Sequence, residues 1–378
     1  MDIVEIKQKL IESPLFNLSL SSKELFHSNF LYWVAKNYPN SFGNSFKPFL
    51  KDPNSEAYLC DVEREKNNID LTLSFDDGQK ILIENKIKSV PYTEQLKRYS
   101  KNHNPQFAYI LLSLSRPSFF GDSDSFSIGG AKWQYVSYNQ IKGILQSCLP
   151  EVTDAYYIEI IKDYQNFVSG LIEINSLTQI KPNSLFNFHS TDKDLNYKEL
   201  QNLRLHDFYL KKKYELLAYL VYTQLKSSNR NLIEFGAPLN WEQKNPILFL
   251  GYGMSRAQGL MDLKYIISSG FALGIQIQGE HYRMVIEDNN GRIANKLKNV
   301  LDNGIWFSFK ETFPKQRVYP KPDKGFNKYG SVFFYKSVKL GTNRPIESIV
   351  TAILTDIERI DKNLEEIKEK ITKCQQGV

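Results

Sequence analysis

Hydrophobic positions change their period several times along the chain. Residues 3–12 and 22–37 space them as helices do; in "ELFHSNFLYW" they are Leu25, Phe26, Phe30 and Trp33, with Ser22 as cap. Residues 39–57 keep no period and read as loop. From Tyr58 to Lys86 the period falls to two. "IDLTLSF" alternates strictly, with Leu71, Leu73 and Phe75 on one face and Asp70, Thr72 and Ser74 on the other. "QKILIEN" follows after Asp76-Asp77-Gly78. Residues 92–102 predict a helix, 106–115 a buried strand, 118–131 a loop, 132–138 a strand, and 139–149 and 152–175 helices. This order predicts an α/β domain over 1–175, with a central mixed sheet flanked by helices.

Residues 176–200 are polar and read as a linker. A helix over about 201–227 opens an α+β region that runs to 345. Its antiparallel sheet is predicted from "ILFLGYG", "FALGIQIQ", "HYRMVIED", "GIWFSFK" and "SVFFYKSV". In 346–378, Ile346, Val350, Ile353, Ile357, Ile360, Leu364, Ile367 and Ile371 alternate in steps of four and three. That pattern predicts a long C-terminal helix. It serves either a coiled-coil homodimer or a helix packed across its own domain.

Composition narrows the chemistry. The net charge is +6, which permits a polyanionic partner without requiring one. Cys60, Cys148 and Cys374 lie far apart, and the five histidines show no HxxxH or HExxH pattern. Neither a disulfide framework nor a zinc site is expected, and the cysteine usage suits a reducing cytoplasm. No run approaches the roughly 18 apolar residues that span a bilayer, and the N-terminus lacks a signal core.

The chemistry centres on "ILIENKIKS", residues 81–89, where Glu84 and Lys86 end an apolar run. If Asp76-Asp77-Gly78 forms a three-residue hairpin loop, Leu71 faces Ile83, Leu73 faces Ile81 and Asp70 lies opposite Glu84. Opposed carboxylates have Cβ atoms about 4.5–5.5 Å apart and destabilise a hairpin unless a cation lies between them. Hard oxygens at that spacing suit Mg²⁺. Lys86 projects from the same face as Glu84. A two-residue turn at Asp77-Gly78 would instead slip the register by one and put the two acids on opposite faces. Glu65 could add a third carboxylate, and "TEQLKRY" places Gln95 and Tyr99 on one helical face.

"EKNNIDLTLSFDDGQKILIENKIKSVPYTEQLKRY" resembles the core of the PD-(D/E)XK nuclease superfamily, in the bacterial branch with I-E-N-K and Q-L-x-R-Y motifs. "ELFHSNFLYW", "FAYILLSLS" and "WQYVSY" resemble that branch's opening helix and later strands, so the resemblance covers about residues 15–170. It implies a restriction-endonuclease-like core. Asp70 and Glu84 would be metal ligands, joined by the backbone carbonyl of Asn85, and Lys86 the catalytic lysine. Glu65 would match the upstream glutamate, with Glu63 a competitor. Gln95 and Tyr99 would match the Q-x3-Y element of RecB-like nucleases. Ile69 stands where the family name has proline, and Asn67-Asn68 where Gly and Arg are frequent. The implied activity is hydrolysis of DNA phosphodiesters with Mg²⁺, or Mn²⁺ in its place, in bacterial defence, restriction or mobile-element biology. Basic clusters that could hold DNA are Lys86, Lys88, Lys97, Arg98 and Lys101, then Lys211-Lys212-Lys213, and the basic and aromatic stretch 313–330. The alternative is a catalytically inactive nuclease fold that binds nucleic acid or protein.

Overall fold

The computed structural model describes residues 2–20, 23–101, 104–183, 185–186, 197–228, 233–236, 239, 241–242, 247–321, 324–341 and 344–376. The chain divides into two compact units. One is Met1–Gln179 with Lys193–Tyr209, the other Ile180–Asp192 with Leu210–Val378.

The first unit opens with helices α1 (Ile3–Glu12), α2 (Pro14–Ser19), α3 (Lys23–Asn37) and α4 (Pro39–Phe46). The Ser22 cap expected for α3 lies outside the described residues. The buried side of α3 carries His27, Phe30, Leu31 and Val34, while Leu25 is exposed. Helix α4 and a 3₁₀ turn at Lys47–Phe49 take the first part of the expected loop, while residues 50–58 carry no helix or strand. Pro39 opens α4, and Phe42 and Phe46, one turn apart, are both buried. Spacing had missed it because the helix has only two turns and contains Gly43.

Strands β1 (Leu59–Lys66), β2 (Ile69–Phe75) and β3 (Lys80–Lys86) form an antiparallel meander. Asn67 and Asn68, with φ of 54° and 63°, make the two-residue loop between β1 and β2. Asparagine tolerates that left-handed geometry better than most residues, and type I′ loops need it twice. Helix α5 (Thr93–Ser100) then crosses to β4 (Phe107–Ser113), which lies parallel to β3. A short edge strand β5 (Ser125–Ile128), inside the segment read as loop, leads into β6 (Ala131–Ser137), parallel to β4. Helices α6 (Tyr138–Cys148) and α7 (Ala155–Leu177) complete the unit. The six strands run β1-β2-β3-β4-β6-β5, a mixed sheet flanked by helices.

Of the expected linker, residues 176–177 end α7, Leu185–Phe186 form β7 and Tyr197–Asn202 form α8; residues 184 and 187–196 lie outside the described set. The predicted helix at 201–227 is broken. Arg204 has φ 54°, and α9 starts only at His206 and runs to Ser227. Within α9, Lys213 is buried 5.1 Å from the Phe186 ring, so the lysine triplet is not wholly a solvated face.

The second sheet contains β8 (Ile233–Phe235), β9 (Ile247–Ser255), β10 (Gln258–Ser268), β11 (Phe271–Gln278) and β12 (His281–Asp288). After α10 (Ala294–Asp302) come β13 (Val318–Tyr319), β14 (Asn327–Tyr329) and β15 (Phe333–Lys339). The sheet order is β13-β15-β12-β11-β10-β9-β8, with β14 also on β15. "GIWFSFK" is not a strand. Gly304 turns the chain at φ +87°, and the buried Trp306 donates its indole N–H to the Val285 carbonyl. Its apolar residues fill a core from irregular backbone, which alternation alone cannot distinguish from a strand.

Last come β16 (Arg344–Pro345), paired with β7, then α11 (Ile346–Lys362) and α12 (Leu364–Gln375). The single long helix expected here is two, parted at Asn363. Every isoleucine of the seam and Val350 are buried within their own chain. That burial leaves no open coiled-coil face, so a homodimer through this segment is not supported.

Candidate nuclease site

The register of the β2–β3 hairpin places the site. Paired residues are Leu71↔Ile83, Thr72↔Leu82, Leu73↔Ile81 and Ser74↔Lys80. Asp76-Asp77-Gly78 forms the three-residue loop. Phe75 N–H donates to the Gln79 carbonyl at 3.0 Å, and Gly78 takes φ +87°, a conformation that suits glycine. Continued one step, the same register sets Asp70 opposite Glu84. Phe75 and Gln79 are a hydrogen-bonded pair, and such pairs alternate with non-bonded ones. Asp70 and Glu84 therefore fall on a non-bonded position, where side chains approach most closely. The slipped two-residue turn does not occur.

Past Leu71 the ladder gives way to a side chain. Asp70 Oδ2 accepts the backbone N–H of Asn85 at 2.7 Å. Lys86 carbonyl bonds to Leu114 N–H on the β4 side, so the peptide groups of Asn85 point the other way, toward the end of β2. The Asn85 side chain is locked. Tyr138 O–H donates to its Oδ1 at 2.6 Å, and its Nδ2 donates to Ser28 Oγ at 3.1 Å. Ser28 on α3 and Tyr138 on α6 thus lie on the Ile81–Ile83 face of the sheet, while α5 covers the Glu84 face.

Glu84 is 1% exposed. Its Oε1 accepts from Lys86 Nζ at 2.5 Å and from Gln95 Nε2 at 2.6 Å. The same Gln95 Nε2 donates to Tyr99 O–H at 2.9 Å. Glu84 Oε2 is buried without a hydrogen-bond partner. Burial pushes the Glu84 carboxyl up to about 7; Lys86 opposes the rise and Asp70 adds to it. Asp70 is also raised, first by burial, against the Asn85 N–H and Lys86, with Glu65 and Glu24 adding repulsion. Burial would lower Lys86, but Glu84 and Asp70 outweigh it and hold the ammonium above its usual range.

The structure brings Asp70, Glu84, Asn85, Lys86, Gln95 and Tyr99 together, and leaves Glu65 at the margin. Glu65 is exposed on β1 with φ 54° and acts on Asp70 only through its charge. Among the described residues no three His, Cys, Asp or Glu side chains stand close enough to hold a metal. Glu63, its competitor, pairs with Lys66 and faces Thr72. Sequence reading missed Glu24, whose Oε1 accepts Lys88 N–H at 3.4 Å and whose charge reaches Asp70, Glu84 and Lys86. Its position at the start of α3, in a segment read only for its apolar spacing, was the available signal. Of the basic cluster, Lys88 is 5% exposed, near Ser19 and the Phe16 ring, and is not surface charge.

A divalent cation fits this donor set. Two crowded carboxylates with raised proton affinity, and one carboxylate oxygen buried without a donor, are what a hard cation relieves. No helix among the described residues is long and apolar enough to cross a membrane. Neither curated proteins nor solved structures gave a match. Residues 15–166 match the sequence model of the PD-(D/E)XK nuclease superfamily, the span that contains every residue of the site. That match places residues 15–166, within the N-terminal unit, in the PD-(D/E)XK nuclease superfamily.

Proposed function

We propose that the chain is a Mg²⁺-dependent deoxyribonuclease that hydrolyses DNA phosphodiesters, with Asp70, Glu84 and the Asn85 carbonyl as metal ligands and Lys86 as the catalytic lysine. The observation that carries this reading is Glu84 Oε2, a buried carboxylate oxygen without a donor beside a second carboxylate. A bound divalent cation would supply Lewis acidity, making water a better nucleophile and offsetting charge on the phosphate.

The chain's own residues do the rest. Lys86 and Gln95 both hold Glu84 Oε1, which leaves Oε2 as the free ligand oxygen. The Asn85 N–H fixes Asp70 Oδ2, so the other Asp70 oxygen can face the cation. Lys86, kept protonated, donates to the attacking water or a phosphate oxygen and stabilises charge as it develops. Tyr99 supports Gln95 from the same helix. A role in bacterial defence is supported by the sequence resemblance alone.

Purified protein is expected to cut plasmid DNA with Mg²⁺ or Mn²⁺ and to stop in EDTA. Asp70→Ala and Lys86→Ala should each abolish cleavage while keeping the folded circular-dichroism spectrum. Cleavage in EDTA, or full activity in both variants, would refute the reading. A folded wild-type protein that binds DNA and cuts nothing would favour the inactive alternative.

A further inference from the structure

The sheet of the second unit has two unlike faces. On one, Met261, Leu263, Ile275, Tyr282 and Met284 are buried. On the other, pairing aligns Asp262, Gln276, Arg283 and Ser337 in one row across β10, β11, β12 and β15, and puts Tyr335 in the next. An antiparallel sheet commonly carries polar side chains on its second face, in water; here Gln276, Arg283 and Ser337 are polar and yet buried.

Arg283 is the unusual member. It is 7% exposed, yet among the described residues it makes no ion pair. Its Nη1 donates to the side-chain carbonyls of Gln276 and Gln278, both at 2.6 Å, and its Nε is buried without a partner. A buried guanidinium without a carboxylate is costly, and here it is also held in one orientation.

The cation faces an aromatic ladder. Arg283 lies 4.7 Å from the Tyr335 ring centre, Tyr335 stacks on Tyr329 at 5.7 Å and 20°, and Arg256 lies 5.1 Å from the Tyr329 ring. The inner tier is buried or half-buried, whereas Tyr329 and Arg256 are exposed. Arg256 sits in the β9–β10 loop, with φ of 52° there and 58° at Ala257. Both outer residues can be reached, and among the described residues neither arginine makes an ion pair, although Gln276 links Arg283 to Asp262.

We propose that this ladder binds single-stranded DNA, with an unpaired base entering between the Tyr329 ring and the Arg256 guanidinium. A planar cation resting on an aromatic face occupies the place a nucleobase takes in a stacking platform. Paired bases do not offer their faces, so the ladder selects unpaired ones. The basic and aromatic segment 313–330 supplies Tyr329 and also brings Arg317 to within 5.2 Å of the Tyr319 ring on β13, the neighbour of β15. Tyr319 pairs with Ser337 and Tyr329 with Phe333, four residues apart along β15, so Arg317 adds positive charge further along the same edge of the sheet. The inference rests on the nuclease reading only in taking DNA as the partner.

The test is anisotropy of a fluorescein-labelled oligothymidylate titrated with the full chain in EDTA, where cleavage is off. Tyr329→Ala and Arg256→Ala should each weaken binding about tenfold or more, and Tyr329→Phe should bind as wild type, with unchanged melting temperatures in all three. Lys86→Ala should fail to cut, and Tyr329→Ala should weaken binding by the same factor in that background as in the wild type. Unchanged binding by both alanine variants, or equal affinity for the matching duplex or RNA, would overturn the proposal. Lys86-dependent cleavage with binding insensitive to Tyr329 would remove this inference and leave the nuclease. Ladder-dependent binding without cleavage would do the reverse.

Discussion

In the N-terminal sheet, Asp70 and Glu84 crowd together, one Glu84 oxygen has no donor, and the two carboxyls share one lysine. In the second unit, Lys264 lies between Asp262 and Glu287, at 3.4 and 2.8 Å, and Lys336 holds both oxygens of Asp302 at 2.6 Å. Asp356, fully buried, meets Arg359 at 2.8 Å and accepts from the Tyr282 hydroxyl at 2.6 Å. The second arrangement sets a cation directly against each carboxylate, whereas in the first only Glu84 pairs directly with the lysine, and its Oε2 has neither donor nor cation beside it. A buried carboxylate oxygen with neither donor nor cation is therefore a better guide to a candidate site than burial of charge as such.

The comparison breaks most sharply at Lys86. Lys86→Ala should lower cleavage by roughly a thousandfold or more, because charge stabilisation at the phosphate disappears. Plasmid relaxation with Mg²⁺ reads this, and a loss below about tenfold would place Lys86 outside the chemistry. Asp356→Ala should act on stability instead, costing about 3–5 kcal/mol as Arg359 loses its buried partner. Urea denaturation measures it, and a cost below about 1 kcal/mol would show the pair to be dispensable.

Glu84→Gln sharpens the contrast through pH. In the metal-free fold burial pushes the Glu84 carboxyl up to about 7, against 4.5 for a free glutamate side chain. Between those values the folded state binds more protons than the unfolded one, so stability falls as pH rises. The wild type should thus lose about 2–3 kcal/mol relative to Glu84→Gln between pH 4.5 and 8 in EDTA. Thermal melts of both proteins across that range check it, and parallel curves would rule it out. The smallest effect belongs to Tyr99→Phe. It removes one neutral partner of Gln95 and should slow cleavage about fivefold, with the fold intact.

The hairpin was legible because two patterns meet there. Alternation set the faces and Asp-Asp-Gly offered a three-residue loop that puts Asp70 against Glu84, but the competing two-residue turn was excluded only by the observed pairing. The helical spacing of Gln95 and Tyr99 was equally readable, since i and i+4 share a face. Glu24, Ser28 and Tyr138 were not, because their approach to Asn85 and Asp70 depends on how α3 and α6 dock on the sheet. Helix α4 and the irregular backbone at Trp306 failed for a related reason. Short or irregular segments bury apolar residues without any period to betray them. The isoleucine seam gave the right pattern, but only packing could say that it serves its own chain.

The hydrogen bond from Asn85 to Asp70 has an evolutionary consequence. An asparagine at position 70 could still accept that N–H, and a glutamine at 84 would be free of the burden of a buried negative charge. Substitutions that silence the chemistry would leave the architecture undisturbed, and some would toughen it. Drift alone should then erode this pair first. On the proposed reading, relatives that have lost cleavage should lose Asp70, Glu84 or Lys86 while keeping the sheet.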